Sequence, residues 1–133
     1  MPDTRSDFFD LNDPAGTTAR SWPPLRWVGV LTPHAGHAMH KIRVEVDELI
    51  LGRGNDCSAA LADESVSRRH ARITRRGDEF LLEDLGSRNG THVDGVPILS
   101  CVLQDGDVIQ LGQNLFYFER VLEPAGTGQE EAS

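Results

Sequence analysis

The chain has 133 residues, 38% of them hydrophobic and 26% charged, and a formal net charge of −8. That length suits one domain with tails rather than two, and it buries most of the apolar surface of the unfolded chain without a disulfide or metal staple. The acidic balance argues against general nucleic-acid or anionic-membrane binding.

Residues 1–24 mix acids, Gly, Thr and Pro without a period and read as a flexible N-terminal arm. From there the pattern is β. Arg26–Leu31 reads as a strand, and Lys41–Val46 alternates strictly between apolar and polar residues. The histidines between them, His34, His37 and His40, are spaced by three; with Pro33 and Gly36 among them no helix presets their rings, so they read as a hairpin loop rather than a metal site. Glu48–Gly52 leads into a polar cluster, 59–62 allows a short strand, and 70–76 alternates Ala71 and Ile73 against Arg72 and Thr74. Glu79–Leu85 and Thr91–Val93 follow, and Asp94-Gly95 turns the chain into Val96–Leu99. Turns at 104–107 and at Gln113-Asn114 frame Val108–Leu111 and Leu115–Val121, and the tail begins at Glu123. No window of helical length carries a 3.6-residue apolar period. Ten or eleven short strands spaced by turns predict an all-β fold, a sandwich of two antiparallel sheets spanning 25–122.

Three polar clusters fall at strand ends: Gly52-Arg53, Ser67-Arg68-Arg69-His70 and Ser87-Arg88-Asn89-Gly90. Residues 53–88 hold seven of the thirteen basic residues and seven acids, so this window is locally neutral while the rest of the chain carries the whole excess of negative charge. Converging loops that carry Arg, Ser and Asn suit a doubly charged, oxygen-rich anion such as phosphate, because a guanidinium fork holds two oxygens at once. Each residue also has an ordinary use: Arg53 paired with Asp56, Ser67 as a turn cap, Asn89-Gly90 as a plain hairpin turn. A hydrolase built from Ser67 or Ser87 with His70 lacks a Gly-x-Ser-x-Gly elbow, and Gly52-x-Gly54 lacks the rest of a dinucleotide fingerprint. Nothing in the pattern calls for a cofactor or metal. Cys57 and Cys101 read as reduced thiols, no secretory apolar region opens the chain, and no apolar run reaches transmembrane length, which together suggest a cytoplasmic protein. One lysine, Lys41, against twelve arginines suggests a GC-rich bacterial source.

Gly-Arg after a strand, then Ser-x-x-His, then Asn-Gly after an Asp-x-x-Ser turn, all in order, resembles the forkhead-associated (FHA) family over roughly residues 26–121. The resemblance implies a phosphothreonine-peptide binding module without enzymatic activity, an adaptor or regulator downstream of a Ser/Thr protein kinase. It implies phosphopeptide contacts from Arg53, Ser67, Arg68, Arg88 and Asn89, with Gly52, His70 and Gly90 structuring the loops. Where family members often carry Thr, this chain has Arg88. A scaffold or oligomerisation module that binds its partner without phosphate is the competing expectation. Phosphorylation of Thr4, Thr17 or Thr18 would allow the N-terminal arm to occupy the chain's own site.

Overall fold

Alternation in the sequence becomes one-sided burial in the computed structural model, which describes residues 24–36, 38 and 40–125. Eleven strands and no helix are formed among them: β1 (Leu25–Ala35), β2 (Ile42–Val44), β3 (Glu48–Gly52), β4 (Ala59–Ala60), β5 (Ala71–Arg76), β6 (Glu79–Asp84), β7 (Thr91–Val93), β8 (Val96–Ile98), β9 (Ser100–Val102), β10 (Val108–Leu111) and β11 (Asn114–Pro124). They make a six-stranded sheet in the order β2-β1-β11-β10-β7-β8 and a five-stranded sheet in the order β4-β3-β5-β6-β9. Trp27–Val121 form one unit. The described residues outside it, 24–26 and 122–125, belong to a second, in which the Ala125 N–H donates to the Pro24 carbonyl at 2.6 Å.

The core is filled from both sheets by the inward residues of each strand: Leu49 and Leu51 of β3, Ala71 and Ile73 of β5, Phe80 and Leu82 of β6, Ile109 and Leu111 of β10, Phe116 and Phe118 of β11. Phe80 and Phe118 meet edge to face with centroids 5.5 Å apart. Full burial of such side chains stabilises the fold by about 1.5–3 kcal/mol each. This anchors the strand ends from which the polar loops leave.

Several expectations are corrected. The second sheet is mixed, because β4 runs parallel to β3, with Leu51 opposite Ala59 and Gly52 opposite Ala60. A ten-residue connection separates β4 from β5, and through it the chain returns to run antiparallel beside β3. β1 continues through Pro33 and His34 into the expected hairpin loop, β2 is shorter than its alternating run, and β11 reaches Pro124, beyond the expected boundary at 122. The run Val96–Leu99 ends at Ile98, and the chain changes sheets at Leu99 to form the unforeseen β9. Although near the end of its strand, the Arg75 side chain is only 16% exposed, 3.5 Å from Asp47 and 3.5 Å from the Trp27 carbonyl. Arg72 is half-buried between Glu83 and Glu48, so its guanidinium does not simply face solvent. The expected N-terminal arm, the tail beyond residue 125 and His37 lie outside the described residues.

Candidate functional site: a carbonyl ladder under three arginines

The loop between β4 and β5 is the frame of the site. Five successive carbonyls, from Glu64 to Arg68, each accept a hydrogen bond from a neighbouring loop. Glu64 O takes Arg88 Nη2 at 3.4 Å, and Ser65 O takes Asn89 Nδ2 at 2.8 Å. Val66 O takes Arg53 Nε at 3.0 Å, and Ser67 O takes the Arg53 main-chain N–H at 2.9 Å. Arg68 O takes the Gly54 N–H at 3.0 Å and the Cys57 thiol at 2.9 Å. All three predicted clusters therefore meet on one backbone segment.

The local sequence explains the approach. A Cβ at position 52 would collide with the Arg68 carbonyl, so only glycine lets the Gly52-Arg53 turn lie against the ladder. Bound through Nε, Arg53 has both terminal nitrogens without a partner among the described residues, and the Nε bond restricts the side chain before any ligand arrives. Arg53 and Arg68 line one open depression with Gly54, Asn55 and Asp56. The alternative pairing of Arg53 with Asp56 is not formed; Asp56 lies 3.5 Å from Arg69 instead. Arg53, Arg68 and Arg88, like Arg76 at the end of β5, have no carboxylate partner among the described residues, whereas Arg69, Arg72, Arg75 and Arg120 each have at least one. In an acidic chain, three neighbouring unpaired arginines make an electropositive end suited to an anion.

His70 is fully buried and joins the loops. The Ser67 N–H donates to its Nδ1 at 3.0 Å, so the ring hydrogen sits on Nε2 and goes to the Gly90 carbonyl at 2.8 Å. That geometry leaves no serine hydroxyl on the imidazole. The Ser67 Oγ instead accepts the Arg88 N–H at 2.9 Å, which leaves its own hydrogen for an outside acceptor. Gly90 has the positive φ, +84°, that its place in the Asn-Gly turn requires.

Asp84 was not singled out in the sequence as a site residue, although Asp84-x-x-Ser87 was the available signal. Its carboxylate accepts from the Gly86 N–H at 3.0 Å, the Ser87 N–H at 3.1 Å, the Ser87 hydroxyl at 2.5 Å and the Thr91 hydroxyl at 2.7 Å. Burial pushes its pKa up, but the bonds from Ser87, Thr91 and the loop backbone outweigh it and hold the carboxyl below the usual carboxylate range. Ser65 and Cys57 also escaped notice. Ser65 Oγ accepts the Gln113 N–H at 2.9 Å, tying in the turn before β11 from 48 residues away, for which a single sequence offers no signal.

The family model for the FHA domain matches residues 49–112. The chain is 49% identical over 65 residues to the FHA domain-containing protein FhaA of Mycobacterium tuberculosis, covering 49% of this chain and 12% of FhaA. It is 41% identical over 81 residues to an oxoglutarate dehydrogenase inhibitor of Corynebacterium jeikeium, covering 61% of this chain and 54% of the inhibitor. With the glycogen accumulation regulator GarA of Mycolicibacterium smegmatis it shares 47% identity over 62 residues, 47% of this chain and 39% of GarA. A structure solved to study phosphothreonine-dependent FHA domain interactions superposes with a TM-score of 0.65 at 37% identity, over 69% of this chain and 95% of that one. The FhaA FHA domain, complexed with the intracellular domain of Rv3910, superposes with a TM-score of 0.62 at 35% identity, over 70% of this chain and 99% of that one. The chain belongs to the forkhead-associated family. Its match to each of the three relatives spans at most 54% of that protein's length.

Proposed function

We propose that the loop end binds a phosphothreonine-containing peptide, and that the chain acts without catalysis as a cytoplasmic adaptor or regulator downstream of a Ser/Thr protein kinase. The observation that carries this reading is Arg53: anchored through Nε, without a carboxylate partner among the described residues, and beside Ser67 and Arg68. Its fork would hold two phosphate oxygens, with the Ser67 hydroxyl and Arg68 supplying two further donor groups. Asn89, fixed to Ser65 O through Nδ2, would present Oδ1 to the ligand main chain, and Arg88 would stand at the rim. Gly52, His70 and Gly90 would act through the loops, within a binding unit of residues 25–122.

Phosphorylation adds about −1.5 to −2 charge and three acceptor oxygens, so binding would follow the activity of the kinase. The kinase, one of its substrates, or a phosphorylated Thr4, Thr17 or Thr18 of the chain itself would be the partner. Tethering places such an arm at an effective concentration in roughly the millimolar range. Calorimetric titration with matched phosphorylated and unmodified threonine peptides tests the reading. Binding of the phosphopeptide alone supports it; equal binding of both peptides would return the scaffold reading to first place. Tighter binding of external phosphopeptide after removal of residues 1–24 from the phosphorylated chain would support self-occupancy.

A further inference from the structure

The unpaired cations at the loop end outnumber the charge of one phosphate. Arg53 and Arg68 share their depression with Asp56, which pairs with Arg69 at 3.5 Å, so the two remaining cations balance a phosphate of about −2. Arg88 is not among the residues lining that depression. Its N–H donates to the Ser67 hydroxyl at 2.9 Å and its guanidinium reaches the Glu64 carbonyl at 3.4 Å. A contact that long, exposed and neutral on one side yields readily to a charge-assisted bond. The Glu64 carboxylate does not neutralise it, because Arg88 has no ion pair among the described residues.

The backbone that carries Arg88 is held on both sides. Asn89 is bonded to Ser65 O at 2.8 Å, the Gly90 N–H donates to Ser87 Oγ at 2.9 Å, and Ser87 is bonded to Asp84. A freely solvated arginine has no need of so fixed a base; a ligand-reading one gains from it, because less order remains to be imposed on binding.

We propose that Arg88 forms a second anion subsite, which takes a carboxylate or a second phosphate carried within a residue or two of the phosphothreonine. This rests on the phosphothreonine reading above. The class of ligand is then a phosphothreonine peptide with an additional negative group beside the modified residue, and the subsite sets the preference among phosphorylated partners.

The test is calorimetric titration of the full chain and of Arg88→Gln with four kinds of synthetic peptide. These are an unmodified threonine peptide, a phosphothreonine peptide flanked by alanines, the same peptides with glutamate placed singly at each flanking position, and the same with a second phosphothreonine. Thermal melts of both proteins verify folding. The parent chain is expected to bind a doubly anionic peptide about five- to tenfold more tightly than the alanine-flanked one. In Arg88→Gln that preference falls to about twofold or less, whatever change the alanine-flanked peptide itself shows. A gain with the second phosphate alone assigns the subsite to a dianion; a gain with glutamate as well assigns it to carboxylates too. If Arg88→Gln weakens every phosphorylated peptide by the same factor, Arg88 serves the first phosphate and the proposal is overturned. An undiminished preference in Arg88→Gln overturns it too. Failure of the underlying reading looks different: no phosphorylated peptide binds more tightly than the unmodified one, and both proposals fall.

Discussion

Arg53 and His70 sit one loop apart but act through different physics, and their substitutions separate ligand contact from framework. Arg53→Ala removes two terminal donors from the ligand and one Nε bond to Val66 O. Phosphopeptide binding should weaken by about 2–5 kcal/mol, while stability falls by less than about 1 kcal/mol, since an exposed loop arginine supports no core. Arg53→Lys should restore little, because an ammonium cannot hold Val66 O and fork two phosphate oxygens together. His70→Ala leaves the Ser67 N–H and the Gly90 carbonyl without their partner in a fully buried position. It should lower stability by about 2–4 kcal/mol and affinity with it. Thermal melts beside titrations check the contrast; an Arg53→Ala chain that stays folded and binds like the parent ends the site assignment. Gly52 and His70 stood out in the sequence because each belongs to a motif only a few residues long. Asn89 was harder. An amide beside a glycine satisfies both a plain turn and a ligand clamp, and only the Ser65 carbonyl at 2.8 Å shows which loop it is fixed to.

Among the elements, those that alternate over five or six residues with both neighbours in place, such as β3, β5 and β6, were legible nearly to their ends. The short β4, β7 and β8 were also placed to within two residues, because turn residues bound them. β9 was not, because it exists only where the chain changes sheets at Leu99. That crossing leaves β8 and β9 as outer strands, with Val96 58% and Leu99 84% exposed. In the two-residue hairpin closed by Asp94 and Gly95, at φ +52° and +82°, the pair His92–Pro97 is one whose backbone groups point away from the partner strand. Pro97 therefore places its missing N–H on the open edge of the sheet, a guard against strand addition. Pro97→Val should raise concentration-dependent self-association, read by analytical ultracentrifugation against the parent chain; identical sedimentation would show that the edge needs no guard. The turn before β10 carries the opposite liability. Burial, Asp94 and Asp105 push the Asp107 carboxyl up, against the Gln104 N–H that favours its charged form. A carboxyl raised in the fold contributes stability below its unfolded pKa and loses it as pH rises through the folded one. Asp107→Asn keeps an oxygen for the Gln104 N–H at 2.8 Å and removes the repulsion, so its melting temperature should exceed the parent's at pH 7 and not at pH 3.

For the molecule as a whole, binding and folding should fail at different pH values, because different groups govern them. A guanidinium carries its charge at any physiological pH. The phosphate titrates there, with a second pKa of about 6, so a ligand held mainly by charge weakens as pH falls below that value. The fold depends on Asp84, whose carboxyl is held below the usual carboxylate range by Ser87, Thr91 and the loop backbone despite the opposing effect of burial. A depressed carboxyl contributes stability above its unfolded pKa of about 3.9 and loses that contribution as pH falls through the folded value. The loop end therefore keeps its shape across the interval in which the ligand loses its second charge. Affinity for a phosphothreonine peptide should drop severalfold between pH 7.5 and 5 while the melt assigned to the Asp84 loop stays unchanged, and Asp84→Ala should move the melt at pH 7 as well. The measurement is titration and thermal melting of the same samples across that range. An affinity that stays flat down to pH 5 would mean that charge is not the main term, and the three unpaired arginines would need another reason to stand together.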